Sequence, residues 1–125
     1  MITGIVQKNS PIISINVEGI LGALNLIAIV DTGFTGSLKL SPAIADTLGL
    51  EVTHTEEVEL GNHQSVYMPA GLAVVSLEKV QESVPVLLAQ GISMIGIGLL
   101  RQFGYNLHVD LKEDMLRLIP WDKSI

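Results

Sequence analysis

The chain has 125 residues, of which 48% are hydrophobic and 16% charged, and its formal net charge is −6. This length and composition predict one folded domain spanning residues 1–125 and exclude a disordered chain. Only 7 Lys and Arg residues are spread over this acidic sequence, which argues against a nucleic-acid partner. The lack of cysteine excludes disulfides, thiolate chemistry and cysteine-ligated metals, and it fits a reducing compartment.

The sequence shows no secretory or membrane signal. The N-terminal segment lacks the basic region and the unbroken apolar stretch of a signal peptide. The longest apolar stretch runs from Ile20 to Val30, but Asn25 interrupts it and it is too short to span a bilayer. We therefore expect a soluble, cytoplasmic protein with no membrane partner.

The first part of the chain is predicted to be rich in strands. Ile13, Ile15 and Val17 alternate with polar residues, which is the period of a half-buried strand. Two glycines between Glu18 and Gly22 indicate a hairpin turn. Further strands are expected at Met1–Gln7, at Ala23–Val30, which is predicted to be more fully buried, and at Ser37–Leu40.

A short helix and a polar-tipped hairpin are predicted next. Ser41 suits an N-cap, Pro42 suits the first helical position, and Gly49 is placed to end the helix. The hairpin is expected because turn residues lie between two extended segments. The expected bounds are Ala43–Leu48 for the helix, Glu51–Leu60 and Ser65–Met68 for the hairpin strands, and Gly61–Gln64 for the turn.

The last part continues with short strands and a second helix. A charged turn at Glu78 and Lys79 separates two strands, and Gly104 is placed to stop the helix. The expected bounds are Leu72–Leu77, Val84–Ala89, Asn106–Leu111 and Met115–Ile119 for strands and Leu99–Phe103 for the helix. Short strands with frequent turns and two minor helices predict a mainly β, barrel-like domain.

One stretch combines an apolar strand, a carboxylate and two glycines. The uncharged run Leu26–Val30 leads directly into Asp31-Thr32-Gly33, and Gly36 follows. A strand that ends on aspartate places a charge at the edge of the sheet, and the glycines permit a tight turn or a close backbone approach. Asp31 is therefore a candidate site residue. The alternative is that it only forms a turn, as Asp and Gly often do.

Three features in this order resemble the retropepsin-like aspartic proteases, the retroviral-type protease and its bacterial and cellular relatives. They are the apolar strand into Asp31-Thr32-Gly33, the mid-chain hairpin, and a second motif at Met94–Leu100. The similarity continues through Arg101–Leu107 and covers most of the chain. The resemblance implies a closed β-barrel with one or two short helices that hydrolyses peptide bonds as a homodimer, without a cofactor or metal.

The resemblance also implies roles for individual residues. Asp31 would be the catalytic carboxylate, Thr32 would fix the paired loops across the two-fold axis, and the Gly33 amide would approach the carboxylate. The hairpin Leu60–Met68 would be a flap that closes over a bound peptide. Its substrate-binding positions would be Leu60, Gly61, Asn62, His63 and Gln64, and the second motif would contribute Ile95 and Gly96.

The sequence departs from the retroviral members at one pair of positions. Those members carry an Asp four residues after the catalytic Asp and an Arg directly after the glycine of the second motif, and the two side chains pair. Thr35 and Ile97 stand at these positions here, so no buried charge is left without its partner. The segment Phe34-Thr35-Gly36 is closer to bacterial and other cellular members.

The chemistry of peptide hydrolysis by carboxylates independently predicts a homodimer. Two carboxylates that share one proton are needed, one as base and one as acid. The chain contains one Asp-Thr-Gly, so the pair must come from two copies across a two-fold axis. The remaining aspartates lack that context: Asp46, Asp110, Asp114 and Asp122.

Two other functions fit the sequence. One is a catalytically silent dimeric module of the same fold that binds extended peptides, and the other is a small-ligand β-barrel in which Asp31 is a polar anchor. The three histidines show no metal-ligand spacing, and a nucleotide loop at Gly96 and Gly98 is rejected because Arg101 replaces the third glycine. The simplest interpretation of three mid-chain glutamates is a solvated strand face: Glu56, Glu57 and Glu59.

Overall fold

A computed structural model describes residues 1–59 and 62–121 of the chain. Ten strands and two helices lie in this part of the chain. In chain order they are β1 (Ile2–Gln7), β2 (Ser10–Gly19), β3 (Gly22–Val30), β4 (Leu38–Leu40), α1 (Pro42–Leu48), β5 (His54–Glu59), β6 (Ser65–Leu77), β7 (Val80–Leu88), β8 (Met94–Ile95), α2 (Ile97–Phe103), β9 (Tyr105–Asp110) and β10 (Met115–Pro120).

The strands form one hydrogen-bonded sheet in the order β5-β6-β7-β4-β8-β3-β2-β1-β10-β9. An additional pairing between β6 and β2 closes part of this sheet into a ring of β2, β3, β8, β4, β7 and β6. Strand β5 extends the ring on one side, and β1, β10 and β9 extend it on the other. The predicted mainly β fold with two short helices is confirmed, and the predicted closure takes the form of this ring.

The hydrophobic core is built from alternate residues of the ring strands. Ile13, Ile15 and Val17 are 2%, 2% and 0% exposed, as their alternation with polar residues predicts. Leu38 and Leu40 of the short β4 face the same core and are fully buried. The period of two therefore directs one face of each strand inward.

Strand β3 is less buried than the sequence predicts. Of its nine residues only Ala28 and Val30 are buried, and Ile27 is 61% exposed. Along most of its length β3 pairs with β2 alone, and β8 joins it only at Ile29 and Val30. An antiparallel strand in this position turns one face towards the core and the other towards solvent. The apolar run of β3 is therefore buried on one face only.

Strand β6 is one continuous strand of 13 residues, where the sequence predicts two shorter strands. It pairs with β5 as far as Ala70 and with β7 from Ala70 onward, so its partner changes at that residue. Pro69 lies where β5 is the paired neighbour, opposite Thr55. Proline is tolerated where one side of a strand is unpaired, which explains why it does not end the strand.

The helix termini follow the predicted capping signals. The Ser41 hydroxyl accepts a hydrogen bond from the Ile44 amide at 3.3 Å, and Gly49 ends α1 with a φ of 71°. Helix α2 begins at Ile97, two residues earlier than predicted, and Gly104 ends it with a φ of 77°. In residues 1–59 and 62–121 no helix is long and apolar enough to cross a membrane.

A buried tyrosine ties the β6–β7 turn to the start of β9. Tyr105 is 8% exposed, and its hydroxyl donates to Glu78 Oε1 at 2.9 Å. Burial, together with this hydrogen bond and the negative charge of Glu78, raises the pKa of Tyr105 to about 12. The Met1 amino group lies 3.0 Å from the same oxygen, and it and the tyrosine hydroxyl lower the pKa of Glu78.

This pair predicts a pH-dependent contribution to stability. The folded-state pKa of Tyr105 lies above its ordinary value of 10.0. The stability that Tyr105 contributes to the folded state is therefore fully present below about pH 10 and is lost as the pH rises towards about 12. The Tyr105→Phe variant should have a lower Tm than the parent at neutral pH, and this difference should narrow at alkaline pH. Thermal unfolding of both proteins across this range tests the expectation. A Tm difference that stays constant up to about pH 12 would contradict it.

Candidate active site

Asp31 lies directly after β3, where the strand leaves the ring. Its backbone amide donates to the Ile95 carbonyl at 2.9 Å, and Val30 pairs with Ile95 in the parallel β3–β8 ladder. The strand of the second motif therefore holds the backbone that carries the carboxylate. This contact joins two segments that are far apart in the sequence.

The loop after Asp31 folds back on the carboxylate. The Gly33 amide donates to Asp31 Oδ1 at 2.8 Å, and the Phe34 amide donates to the Asp31 carbonyl at 3.1 Å. A Cβ atom at Gly33 would lie 3.2 Å from the same Oδ1, which is a tight contact. Asp31 is half-buried, and Thr32 and Gly33 are exposed in the single protomer. The loop thus fixes the carboxylate orientation and presents its tip to the surface.

The second motif packs directly beneath this loop. The amides of Gly96, Ile97 and Gly98 donate to the carbonyls of Ser37, Phe34 and Gly36 respectively, each at 3.0 Å. A Cβ atom at Gly96 would lie 2.7 Å from the Phe34 ring and would overlap the carbonyl oxygens of Phe34 and Gly36. Gly96 is therefore required by close backbone approach. Both glycine-containing motifs form one interlocked unit.

Phe34 was not predicted to be a site residue, although its ring packs against Gly36 and Gly96. A Cβ at Gly36 would lie 2.6 Å from that ring, and the ring is also the side chain nearest to Gly96. The signal that could have identified it is its position between the two glycines of the loop. Thr35, next to it, is exposed, and Ile97 reaches the loop through its backbone amide.

The other described aspartates have different settings. Asp110 Oδ1 accepts from the amides of Lys112 and Glu113, both at 3.1 Å, and so caps the β9–β10 turn. Asp46 is exposed on α1, and Asp114 lies in the same turn as Asp110. Asp122 lies outside the described residues. Among residues 1–59 and 62–121, Asp31 is the single aspartate on a glycine loop at the ring edge.

The β5–β6 hairpin lies across a cleft from the Asp31 loop. The cleft has a volume of about 470 Å³. Its described lining comprises Gly33, Phe34, Thr35, Gly36, Glu56, Glu57, Val58, Glu59, His63 and Leu87. Two predicted flap positions, Leu60 and Gly61, lie outside the described residues. The hairpin and the loop thus form the two walls of one groove.

The three described substrate-binding positions predicted for the flap, Asn62, His63 and Gln64, form a small polar turn. Asn62 Oδ1 accepts from the Gln64 amide at 3.1 Å, and the two side chains also bond to each other at 3.2 Å. His63 has a φ of 65°, its side chain is 91% exposed, and its Nδ1 lies 3.3 Å from Glu59 Oε1. His63 belongs to the cleft lining, whereas Asn62 and Gln64 do not.

The glutamates of β5 are accessible to solvent, as predicted, but they also line the cleft, which the sequence did not indicate. Glu57 Oε2 accepts from the Tyr67 hydroxyl at 3.2 Å, and Glu56 Oε1 lies 3.0 Å from His54 Nε2. The described residues contain no cluster of three or more His, Asp or Glu side chains arranged to hold a metal ion.

Comparisons with known proteins identify the fold. No family model matches the chain, and no curated protein sequence matches it significantly. A retropepsin-like aspartic protease from Rickettsia conorii is structurally similar with a TM-score of 0.62 and 20% identity, over 94% of this chain and 87% of that one. The EIAV protease complexed with the inhibitor HBY-793 gives a TM-score of 0.57 and 15% identity, over 76% of this chain and 88% of that one.

These similarities establish that the chain has the retropepsin-like fold. The resemblance inferred from the two motifs is thereby confirmed at the level of the fold. Both structural neighbours are aspartic proteases.

Proposed function

We propose that the protein is a homodimeric aspartic endopeptidase in which each subunit supplies one Asp31 carboxylate. The observation that carries this proposal is the interlocked unit of the Asp31 loop and the second motif, set at the edge of a retropepsin-like ring. The Gly33 amide, 2.8 Å from Oδ1, leaves the second carboxylate oxygen available for chemistry.

The mechanism needs two carboxylates that share one proton. The ionised carboxylate takes a proton from a water molecule, whose oxygen then attacks the peptide carbonyl carbon. The protonated carboxylate donates to the carbonyl oxygen, which gives a tetrahedral intermediate. The intermediate collapses as the C–N bond breaks, and the leaving nitrogen takes a proton from the pair. Two like charges placed together are costly, so the two carboxylates share one proton.

The number of candidate carboxylates in the described chain supports a homodimer. A single Asp31 cannot act as acid and base at once, and no other described aspartate lies on the loop. A two-fold axis between two exposed Thr32-Gly33 tips would bring both carboxylates together. Thr32 would then hold the two loops by hydrogen bonds across the axis, as the resemblance implies.

The β5–β6 hairpin would act as the flap over a peptide or protein substrate. The cleft between it and the Asp31 loop supports this role, because closure over an extended peptide would exclude water. The described tip residues Asn62, His63 and Gln64 are polar and exposed, so the tip should open easily without a ligand. We expect fast amide hydrogen exchange at Asn62–Gln64 in the free protein and slower exchange when a peptidomimetic binds.

Hydrogen exchange followed by mass spectrometry checks this expectation. The ring strand β2, whose core residues are buried, provides the internal control and should be protected in both states. Equal exchange at the hairpin tip with and without the ligand would argue against a flap.

The function itself is tested by incubating purified protein with a diverse peptide mixture from acid to neutral pH. We expect internal cleavage that a statine-type inhibitor blocks, and sedimentation as a dimer at micromolar concentration. The alternative is a silent peptide-binding dimer of the same fold. Peptide binding without cleavage at any pH would favour that alternative, and cleavage by a strict monomer would contradict the shared site.

A further inference from the structure

The wall of the cleft contributed by β5 is strongly acidic. Glu56, Glu57 and Glu59 all belong to the cleft lining, opposite the loop residues Gly33–Gly36. Among the described residues of this lining, none is lysine or arginine. Charges of one sign along a narrow cleft produce a potential that attracts the opposite charge. A ligand in the cleft therefore meets a negative wall.

Glu56 is the glutamate best placed to contact a ligand. Glu56 and Val58 are half-buried on β5, whereas Glu57 and Glu59 are exposed. Because side chains alternate along a strand, Glu56 and Val58 share the more enclosed face. His54, which also shares this face, lies 3.0 Å from Oε1 of Glu56. Within the described part of the chain, Oε2 of Glu56 makes no hydrogen bond.

The other two glutamates would act on a ligand through their negative charge rather than through direct contact. Glu57 accepts from the Tyr67 hydroxyl at 3.2 Å, and Glu59 lies 3.3 Å from His63 Nδ1. All four of these residues are exposed, and Glu57 and Glu59 still belong to the cleft lining. Their negative charge adds to that of Glu56.

We propose that the cleft selects peptide substrates with a Lys or Arg residue flanking the scissile bond, and that Glu56 is the principal residue that recognises it. This specificity rests on the proposed peptidase function. An ammonium or guanidinium group in the cleft would donate to Glu56 and form a charge-assisted hydrogen bond, which is stronger than a neutral one. A glutamate at the same substrate position would be repelled by all three carboxylates.

A set of peptides that differ only in one flanking residue, Lys, Gln or Glu, tests the proposal. We expect kcat/KM to fall in that order, by about two- to fivefold at each step, as partly exposed charge pairs allow. The differences in kcat/KM among the three peptides should become smaller as salt is added, because screening weakens the attraction. A preference caused by side-chain shape alone would not respond to salt.

Matched variants locate the effect. Glu56→Gln should reduce the preference for Lys over Glu, and Glu56→Lys should reverse it. Glu18→Gln removes the same charge at an exposed position beside the β2–β3 turn. That position is at the opposite end of β3 from Asp31, roughly 25 Å away at the rise of a strand. This control should retain the preference of the parent.

Binding to the Asp31→Asn protein separates this inference from the proposed function. Labelled versions of the three peptides, followed by fluorescence anisotropy, should bind in the same order without being cleaved. If the parent cleaves all three equally well, the inference is wrong and the peptidase function stands. If the parent cleaves nothing but binds the Lys peptide best through Glu56, recognition of a basic side chain stands and the peptidase function falls.

Discussion

The peptidase activity of the Asp31→Asn variant should be lower than that of the parent by about 10²- to 10⁴-fold, which is the range for general acid–base catalysis. The amide can neither take a proton from water at neutral pH nor give one to the carbonyl oxygen. In a homodimer one substitution removes both catalytic groups, so the loss should lie at the upper end of the range. Peptide cleavage from acid to neutral pH measures the loss.

The same variant should remain folded. Asn is close to Asp in size, and its side-chain oxygen can still accept from the Gly33 amide. Removal of the two crowded carboxylates at the axis should leave the dimer as stable as the parent or more stable. Thermal unfolding and sedimentation serve as controls. A variant that cleaves as fast as the parent would remove Asp31 from the mechanism.

The Gly96→Ala variant should be strongly destabilised. The added Cβ would lie 2.7 Å from the Phe34 ring and overlap two carbonyl oxygens of the Asp31 loop. The φ of Gly96 is −108°, which any residue can adopt, so the effect is steric. Overpacking of this kind costs about 3 kcal/mol. For a domain of this size the Tm should fall by roughly 10 °C.

Gly98→Ala is the matched control for this prediction. Its Cβ would lie 2.9 Å from the Gly36 carbonyl oxygen, a milder clash. Gly98 is also the second residue of α2, and alanine has a higher helix propensity than glycine. We expect a clearly smaller loss of stability than in Gly96→Ala. Equal stability of Gly96→Ala and the parent would show that the two motifs do not interlock as described.

Local patterns predicted the parts of the fold that depend on near neighbours. The alternation of Ile13, Ile15 and Val17 identified a half-buried strand, and Ser41 and Gly49 marked both ends of α1. These signals depend on strand periodicity and helix capping, which are encoded within a few residues. The fold itself required the two motifs together, because each alone is common.

The contacts between distant segments could not be predicted in this way. Ring closure pairs Asn16 with Ser76, and no local signal specifies that register. The exposure of Ile27 depends on which strands flank β3, and the continuity of β6 depends on the change of partner at Ala70. Likewise, the acidic wall of the cleft appears only when β5 is placed opposite the Asp31 loop.

The shared catalytic site is tested most directly by mixing a fixed amount of parent protein with increasing amounts of the Asp31→Asn variant, under conditions that allow the subunits to exchange. Dimers with two Asp31 residues become rarer as the variant is added. An equal mixture should therefore keep about half of the activity of the parent alone, and a ninefold excess about one tenth. Bovine serum albumin in place of the variant controls for dilution. Activity that does not change with added variant would contradict a site built from two copies of Asp31.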